Sequence, residues 1–434
     1  MVEGETQALV STNLASFGYI YVNIDDGWYQ CPGPQGPNVD HYGRWLINAT
    51  NYPGSGSKNG IQTLANYVHS LGLKFGIYET AGISKQAVKK NTPILGTNYT
   101  ADEIATNKPQ NNYNCGGMVD LNYSAPGAQA YVDSIVKELA SWGVDYIKLD
   151  GITNNNVPDI EAWSKAINQS GREMVLDTTE GSFTTKIAPE LKKYSNQWEM
   201  APDIEINGPD EGSGRGCYHP PYPGCRSVFP LTSYSHWKDR FDFVAAWQPY
   251  GGPGGFNDYD SIEVGDGPAN SGMNLAAEES QLSLWSLASA PLILGGDLTS
   301  NVTNAYGSKS SLNATDLGLL TNRQMIEVDQ DSIDASRISI SDGGNAQVFS
   351  KVEKSGDGIV GLFDTSVNLS AANETISTTT RAIGLQSDPL GYLVQNLWTG
   401  QTFWISSAGI IKASVCSEGV VLYRVTPIHF ALSG

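Results

Sequence analysis

The sequence lacks a long apolar run and has little positive charge. The longest apolar candidate, Leu282 to Leu294, is interrupted by serine and proline, whereas a membrane span needs roughly 18 or more apolar residues in succession. Only 26 lysine and arginine residues stand against 45 acidic residues, for a net charge of −19. A phosphate backbone or an anionic membrane surface would repel such a chain. We therefore expect neither nucleic acid nor a membrane as a partner.

Cysteine is also scarce, at five residues, and its spacing shows no C-x-x-C pair and no nearby histidine in metal-ligand spacing. A zinc site is therefore not expected, and we predict no metal and no cofactor. We predict two disulfides and one unpaired thiol. Cys217 and Cys225 bracket a short Pro- and Gly-rich segment that a bridge could close, and Cys31 and Cys115 would pair across loops.

The N-terminus and the glycosylation sequons bear on localisation. Eight N-x-[S/T] sequons favour secretion in a glycosylating host. The first residues, MVEGETQALVSTNLASFG, have neither the basic region nor the apolar region of a signal peptide. We expect a secreted, extracellular protein whose sequence begins after processing or lacks its natural start.

With 434 residues and 40% hydrophobic residues, the chain can form two or three globular domains at roughly 150 residues each. Up to about residue 335, short apolar runs alternate with helix-like stretches, which is typical of parallel βα units. The seven strand-like runs are YIYVNIDDGW (19–28), LKFGIYET (73–80), DYIKLDG (145–151), MVLDTT (174–179), QWEMAPDI (197–204), GGFNDYD (254–260) and PLILGGDL (291–298).

The helix-like stretches have apolar residues at three- and four-residue spacing. One of them, residues 2–17, precedes the first strand-like run. An eightfold (β/α)8 barrel needs a strand before that helix, so the pattern predicts an α/β fold, a TIM barrel lacking its first strand, over residues 1–334. A doubly wound open sheet is the alternative, since sheets of that class also bind ligands at their strand ends.

Residues 335–434 have a different pattern, with alternating Ser- and Thr-rich runs separated by turn signals. This pattern predicts an antiparallel β-sandwich domain that braces the first. A G-x-G-x-x-G motif at Gly356, Gly358 and Gly361 lies between two strand-like runs. Because no helix follows it, we interpret it as a hairpin turn and not as a dinucleotide site.

Acidic residues end most of the strand-like runs of the first domain. The carboxyl ends of barrel strands carry catalytic groups, and clustered carboxylates are costly unless they bind cations, transfer protons or hold hydroxyl-rich ligands. A metal site is disfavoured because the five histidines form no ligand pattern. Helix N-caps would explain single aspartates such as Asp258, but not the pair Asp25 and Asp26 next to Trp28. A sugar site explains both the carboxylates and the aromatic residues.

Six segments resemble, in order, the motifs of the melibiase-type glycoside hydrolases, the α-galactosidase and α-N-acetylgalactosaminidase clan of glycoside hydrolase family 27. They are YVNIDDGW, LKFGIYETAG, VDYIKLDG, W-x-x-x-x-D-I at residues 198–204, GGFNDYDSIEVG and LWSLASAPLILGGDL. The resemblance spans nearly the whole first domain. It implies a retaining exo-glycosidase that releases terminal α-D-galactosyl residues through a glycosyl-aspartate intermediate, with a carbohydrate as its partner.

By this resemblance, Asp150 is the catalytic nucleophile and Asp203 is the general acid/base. Asp150 must stay ionised, and Lys148, two residues earlier on the same strand face, is expected to lower its pKa. The pKa of Asp203 should be higher than that of Asp150. A retaining mechanism predicts about 5 to 5.5 Å between the two carboxyl groups.

The resemblance also implies the residues that bind the sugar. Asp25 and Asp26 would accept hydrogen bonds from sugar hydroxyls, Tyr78 would line the subsite, and Trp28 and Trp198 would form its walls. Core packing is the alternative for these aromatic residues. The full predicted set is Asp25, Asp26, Trp28, Tyr78, Lys148, Asp177, Trp198, Glu199 and Asp260.

Three features depart from the family pattern. Glu199 replaces the arginine that usually follows the tryptophan of the acid/base motif, and the segments 78–82 and 176–180 differ from the usual Y-x-D-A-G and C-E-W sequences. The usual N-S-W stretch has no counterpart. A β-L-arabinopyranosidase, an isomalto-dextranase and a catalytically silent sugar-binding protein therefore stay open, and so does the oligomeric state. An unrelated α/β protein whose carboxylates only cap helices is the remaining alternative.

Overall fold

The structure is a computed structural model that describes residues 1–112, 115–179, 183–204, 232–265, 271–299, 312–385 and 390–429. The chain forms two compact units, residues 1–200 and 201–434. The domain boundary predicted after residue 334 stays a prediction. The predicted pair Cys217 and Cys225 lies outside the described residues.

The first unit alternates helices and strands as the sequence predicts. Its strands are β1 (Tyr21–Ile24), β2 (Lys74–Thr80), β3 (Ile83–Ser84), β4 (Ala105–Gln110), β5 (Met118–Leu121), β6 (Tyr146–Asp150), β7 (Val175–Thr178) and β8 (Gln197–Glu199). Its α-helices are α1 (Val2–Ser11), α2 (Gly60–Ser70), α3 (Lys85–Lys90), α4 (Ala101–Ile104), α5 (Pro126–Trp142), α6 (Val157–Gln169) and α7 (Ala188–Tyr194). Two 3₁₀ turns, Leu14–Phe17 and Thr185–Ile187, accompany them.

Five of these strands form a parallel sheet in the order β1, β2, β6, β7, β8. Strand β2 is buried from Phe75 to Thr80, as expected for a parallel strand covered on both faces. The crossover helices have local stop signals. Helix α5 begins with Pro126 and ends at Trp142. The next residue, Gly143, caps the helix with a φ of +91°, which suits glycine because it has no Cβ. The parallel α/β arrangement predicted from the sequence is thus confirmed.

The segment between β2 and α5 forms a small antiparallel sheet in the order β3, β5, β4, which the sequence analysis did not anticipate. These strands are short, and β4 is mostly polar and exposed, so they carry little periodic signal. The predicted disulfide Cys31–Cys115 is present, with a Cα–Cα distance of 5.6 Å. It ties this segment to the loop that follows β1.

The second unit combines helices with an antiparallel β region. Its helices are α8 (Tyr234–Trp237), α9 (Arg240–Trp247), α10 (Leu275–Leu287), α11 (Ala314–Leu320) and α12 (Arg323–Gln330). Its strands are β9 (Phe256–Asp258), β10 (Ser336–Ile340), β11 (Ala346–Val352), β12 (Gly358–Asp364), β13 (Glu374–Thr379), β14 (Gly391–Asn396), β15 (Thr402–Ser406), β16 (Ile410–Val415) and β17 (Val420–Ile428).

The antiparallel region consists of a six-stranded sheet, in the order β10, β11, β12, β17, β14, β15, and a two-stranded sheet of β13 and β16. Both sheets contribute to one apolar core, which includes Val360, Ile376, Val394, Ile411 and Val425. The G-x-G-x-x-G segment lies at the hairpin between β11 and β12. The predictions of a sandwich and of a hairpin are both confirmed.

One predicted strand is wrong. The run 291–298 makes only an isolated bridge, between Leu294 and Ile262, and no strand. Its sequence, PLILGGDL, is apolar enough for a strand, but Pro291 lacks a backbone donor and the glycine pair disfavours extended pairing. Among the described helices, none combines the length and the apolar character that crossing a bilayer requires.

Several carboxyl groups outside the strand ends are buried. Burial raises the pKa of Glu138 to about 7, although Arg44 lies 3.3 Å away and lowers it. Burial raises the pKa of Asp159 to about 6, against hydrogen bonds from Asn156 and Tyr123. It raises the pKa of Asp329 to about 7. These groups take up protons more readily in the folded than in the unfolded chain.

This difference predicts a fold that is more stable in mild acid. A carboxyl whose folded pKa is raised contributes stability at low pH, and that stability is lost as the pH rises through the folded pKa. Between pH 5.5 and pH 8 the midpoint of thermal unfolding should fall by about 2–5 °C. Scanning calorimetry would measure it. Asp159→Asn should reduce the pH dependence, and a midpoint that rises with pH over this range would contradict the prediction.

Candidate active site

The predicted site residues of the first unit lie at the carboxyl ends of neighbouring parallel strands. Tyr78 on β2 is in register with Lys148 on β6, which is in register with Asp177 on β7. Asp25 directly follows β1, whose last residue pairs with Ile77. The strand register therefore places these side chains at one level of the sheet.

Lys148 is the cation at the centre of this group. Its Nζ donates to Asp25 Oδ2 at 2.6 Å, and its side chain is 30% exposed. Burial acts to lower the pKa of Lys148, but the charges of Asp25, Asp150 and Glu199 outweigh it, so the pKa is well above its usual value. Burial acts to raise the pKa of Asp25, but the charge and the hydrogen bond of Lys148 outweigh it, so the pKa is lowered. The lysine is therefore charged and Asp25 is ionised at neutral pH.

Asp150 ends β6 and is fixed through one of its two oxygens. Oδ1 accepts from the backbone N–H of Gly151 at 2.7 Å and from the Thr179 hydroxyl at 2.9 Å. The pKa of Asp150 is raised to about 6, because burial outweighs Lys148 and these two hydrogen bonds. Lys148 lowers the pKa of Asp150, as predicted. The net pKa is nevertheless raised, so the expectation of a lowered pKa was wrong. Since about 6 is still below 7, the ionised form predominates at neutral pH.

Glu199 is buried at the end of β8, with 5% exposure. Glu199 stands where the family usually has an arginine. Its effect here is electrostatic, since its charge contributes to the raised pKa of Lys148. An arginine at this position would repel the lysine. The lysine is thus the counter-charge for a third carboxylate.

The second aspartate of the pair, Asp26, is held by a tyrosine that the sequence analysis did not single out. The Tyr29 hydroxyl lies 2.6 Å from Asp26 Oδ1 and 2.9 Å from Asn112 Oδ1. Burial, followed by the charge of Asp26, raises the pKa of Tyr29, so its proton is retained. Asp26 Oδ1 also accepts from the N–H of Gly27 at 2.6 Å.

The aromatic residues predicted as pocket walls are closed from solvent. Trp28 is 1% exposed, donates to the carbonyl of Tyr78 at 2.8 Å, and packs against Tyr29, Trp45 and Trp142. An indole that stacks on a sugar must present an open face, so for Trp28 core packing replaces the predicted role as a wall. Trp198 and Tyr78 are also fully buried.

Tyr78 differs from Trp28 in one respect. Its hydroxyl is buried and has no hydrogen-bond partner in the part of the chain that the structure describes. Burial, followed by the charge of Asp150, raises the pKa of Tyr78. A neutral hydroxyl beside the Asp150 carboxylate, with unused hydrogen-bonding capacity, suits a polar ligand.

Asp177 lies in a buried network and not on an open surface. It is 2% exposed, and its Oδ2 accepts from the Tyr146 hydroxyl at 2.8 Å. Gln197 donates to the same hydroxyl at 3.0 Å. Its predicted contact with substrate stays a prediction.

In the second unit, Asp203 is exposed and lies on a segment that several side chains hold. The Arg240 guanidinium, which is fully buried, donates to the carbonyl of Pro202. A ring nitrogen of His236 lies 3.1 Å from the carbonyl of Asp203. Ser261 donates to the carbonyl of Ile204 at 2.8 Å. Sequence reasoning missed these supports, because a helical arginine or histidine gives no signal of which carbonyl it will reach.

Asp260 is an acidic neighbour of Asp203 within this unit. Their carboxylate oxygens lie within 4.8 Å of one another, and Asp260 also accepts from the backbone N–H of Ile204. Asp260 has a φ of +71°, a left-handed conformation that aspartate tolerates better than most residues. A pair of acids is not by itself a metal site.

Comparison with known proteins identifies relatives over the whole chain. A sequence profile of the melibiase family, described as alpha galactosidase A, matches residues 3–95 and 113–207. A second profile, described as the alpha galactosidase C-terminal beta sandwich domain, matches residues 343–425. The alpha-galactosidase of Cyamopsis tetragonoloba is 28% identical over 98% of this chain and 82% of its own length. A probable alpha-galactosidase of Dictyostelium discoideum is 29% identical over 99% and 88%.

Solved structures share the fold. A family 27 β-L-arabinopyranosidase from Geobacillus stearothermophilus superposes with a TM-score of 0.82 at 24% identity, covering 100% of this chain and 93% of that one. Alpha-galactosidase I from Mortierella vinacea superposes with a TM-score of 0.70 at 24% identity, covering 99% and 93%. At these identities, the superpositions establish a shared fold.

The position of Lys148 predicts how its loss would affect the fold. In Lys148→Met, the carboxylates of Asp25, Asp150 and Glu199 lose their counter-charge, which should cost about 1–3 kcal/mol at pH 8. The loss should be smaller at pH 5.5, where protonation relieves the repulsion. Urea unfolding at both pH values would measure it. Lys74→Met, on the neighbouring strand, removes an exposed lysine and serves as the control; equal losses for the two variants would refute the role of Lys148.

Proposed function

The chain belongs to the melibiase family of glycoside hydrolases, and from this we propose that it is a retaining exo-glycosidase that releases terminal α-D-galactosyl residues from oligosaccharides or polysaccharides. One observation carries the proposal. Asp150 is a half-buried carboxylate at a strand end, fixed through Oδ1 and accompanied by a charged lysine. An ionised, oriented carboxylate is what nucleophilic attack on an anomeric carbon requires.

The proposed reaction has two steps. An oxygen of Asp150 attacks the anomeric carbon while the glycosidic carbon–oxygen bond breaks, and the leaving oxygen takes the proton of Asp203. Asp203, now ionised, then removes a proton from water, the water oxygen attacks the anomeric carbon, and the bond to Asp150 breaks.

Asp25 and Asp26 supply acceptors for sugar hydroxyls in this proposal. Lys148 holds Asp25 ionised, and the Tyr29 hydroxyl orients Asp26. A carboxylate so oriented discriminates between hydroxyl positions, since a sugar lacking the hydroxyl would leave it unpaired. The unpartnered Tyr78 hydroxyl offers a further polar contact.

A β-L-arabinopyranosidase is the second candidate. Its substrate is an α-galactoside without the hydroxymethyl group, and the Geobacillus enzyme with that activity shares the fold. Glu199 is the residue of this chain that favours the alternative, since it places an acceptor where the family usually has an arginine donor. Release of isomaltose from dextran is a third possibility within the same clan.

We also propose an extracellular location. The Cys31–Cys115 bridge is of the kind that persists in oxidising compartments.

A substrate panel tests the proposal. Aryl α-D-galactoside, aryl β-L-arabinopyranoside and an α-1,6-linked glucan would be offered to the protein, to Asp150→Asn and to Asp203→Asn. We expect turnover of the galactoside, at least 10³-fold weaker in Asp150→Asn, with the first-formed sugar in the α configuration by NMR. Asp102→Asn, an exposed residue of α4, makes the same charge change as a control. Binding without turnover would favour a silent sugar-binding protein, and a β product would exclude retention.

The pKa of Asp150 predicts the acid limb of the pH profile. Only the ionised carboxylate attacks, so kcat/KM should fall as the pH drops through about 6, the value to which burial raises the pKa of Asp150. Initial rates at low substrate concentration between pH 4 and pH 8 would measure it. A limb below about pH 4.5, close to the ordinary aspartate value, would contradict this prediction.

A further inference from the structure

Thr179 lies just after β7, and its backbone forms hydrogen bonds with one residue before Asp150 and one residue after it. Its N–H donates to the carbonyl of Leu149 at 3.0 Å, and its carbonyl accepts from the N–H of Ile152 at 3.2 Å. The residue is 1% exposed. These two backbone bonds fix the threonine in place, so its side chain has a defined direction.

That direction is toward the carboxylate. The Thr179 hydroxyl donates to Asp150 Oδ1 at 2.9 Å, and the N–H of Gly151 donates to the same oxygen at 2.7 Å. Among the described residues, no hydrogen-bond donor contacts Oδ2, and Oδ2 is not among the buried unpartnered atoms. The two oxygens of Asp150 are therefore not equivalent: Oδ1 is held twice, and Oδ2 is accessible.

We propose that Thr179 is a positioning residue that orients Asp150 so that Oδ2 is the oxygen that attacks the sugar. The inference rests on the proposed function, since it assigns a role within that reaction. The Oδ2 electron pair forms the bond to the anomeric carbon, the glycosidic bond breaks, and the leaving oxygen takes a proton from Asp203. Oδ1 becomes the carbonyl oxygen of the ester and keeps its two donors.

A carboxylate with both oxygens free rotates about its Cβ–Cγ bond. Two donors on one oxygen hold that rotation and leave the other oxygen oriented for attack, which reduces the entropy lost on reaching the transition state. The backbone N–H of Gly151 alone cannot define the plane, because it comes from the next residue in the chain. The threonine hydroxyl, which comes from the residue after the neighbouring strand β7, supplies the second point.

The charged and titratable groups around Asp150 are Lys148 on its own strand, Asp25 after β1, and Tyr78 on β2. None of them replaces the Thr179 hydroxyl. Lys148 and Asp25 act on Asp150 through charge, and the Tyr78 hydroxyl makes no hydrogen bond to it among the described residues. Loss of the Thr179 hydroxyl should therefore affect both the orientation and the protonation of Asp150.

The experiment compares Thr179→Val and Thr179→Ala, which lack the hydroxyl, with Thr179→Ser, which keeps it. Thr178→Val is the matched control, because its hydroxyl lies 3.4 Å from Ser195 Oγ and from the carbonyl of Gln197 and does not contact Asp150. For each protein, kcat and kcat/KM would be measured from pH 4 to pH 9, at a temperature well below the unfolding midpoint of the least stable variant.

We expect kcat on the pH-independent plateau to fall roughly 10- to 100-fold in the Val and Ala variants, and the acid limb to move up by about one pH unit. The Ser variant should stay within about threefold of wild type, with its limb unmoved. A Val and an Ala variant that match wild type on both measures would overturn the inference. An equal shift of the acid limb in Thr178→Val would also overturn the inference. The two deletions differ in size, so a folding defect of one leaves the other to decide.

Covalent trapping separates this inference from the proposed function. Wild type would be incubated with a 2-deoxy-2-fluoro glycoside of the substrate that it hydrolyses, and the labelled peptide identified by mass spectrometry. Labelling at Asp150 in wild type supports the proposed nucleophile whatever Thr179 does. Slower labelling in the Val and Ala variants at pH 8, with normal labelling in Thr179→Ser, supports the positioning role. Hydrolysis without labelling at Asp150 would overturn both.

Discussion

The ammonium group of Lys148 is the interaction on which the strand ends of the first unit depend. Parallel strands bring their carboxyl ends to one edge, and this sequence places acids at several of them. Without a cation, carboxylates so close would repel one another or retain protons. Lys148 bonds Asp25 directly and interacts with the charges of Asp150 and Glu199. One cation thus allows the ionised carboxylates of Asp25 and Asp150 to coexist.

The fold and much of the site could be predicted from the sequence, because both depend on patterns. Parallel strands have apolar runs, and catalytic acids directly follow them, so Asp25 and Asp150 could be placed by position alone. The bridge Cys31–Cys115 was also predicted. The strand predicted at 291–298 is absent. An apolar run says nothing about whether a neighbour is available for pairing.

The rest depends on packing, which periodicity does not encode. Trp28 next to two aspartates looked like the wall of a sugar pocket, yet its indole packs among Trp45 and Trp142, residues distant in sequence. The net pKa of Asp150 could not be foreseen either, because the effect of burial exceeds that of the neighbouring lysine. Thr179 is an ordinary residue in a polar segment, and only the structure reveals the hydrogen bond from its hydroxyl to Asp150.

The Cys31–Cys115 bridge has a consequence for how the protein would be produced. It closes a stretch of chain with a sequence separation of 84, and its two ends meet a second time where Tyr29 contacts Asn112. Tyr29 is also the residue that orients Asp26. In a host compartment that keeps thiols reduced, this covalent link would be missing, and only non-covalent contacts such as the hydrogen bond between Tyr29 and Asn112 would join the two segments. The choice of expression compartment would therefore affect the orientation of Asp26 in the proposed sugar subsite, as well as the yield of folded protein.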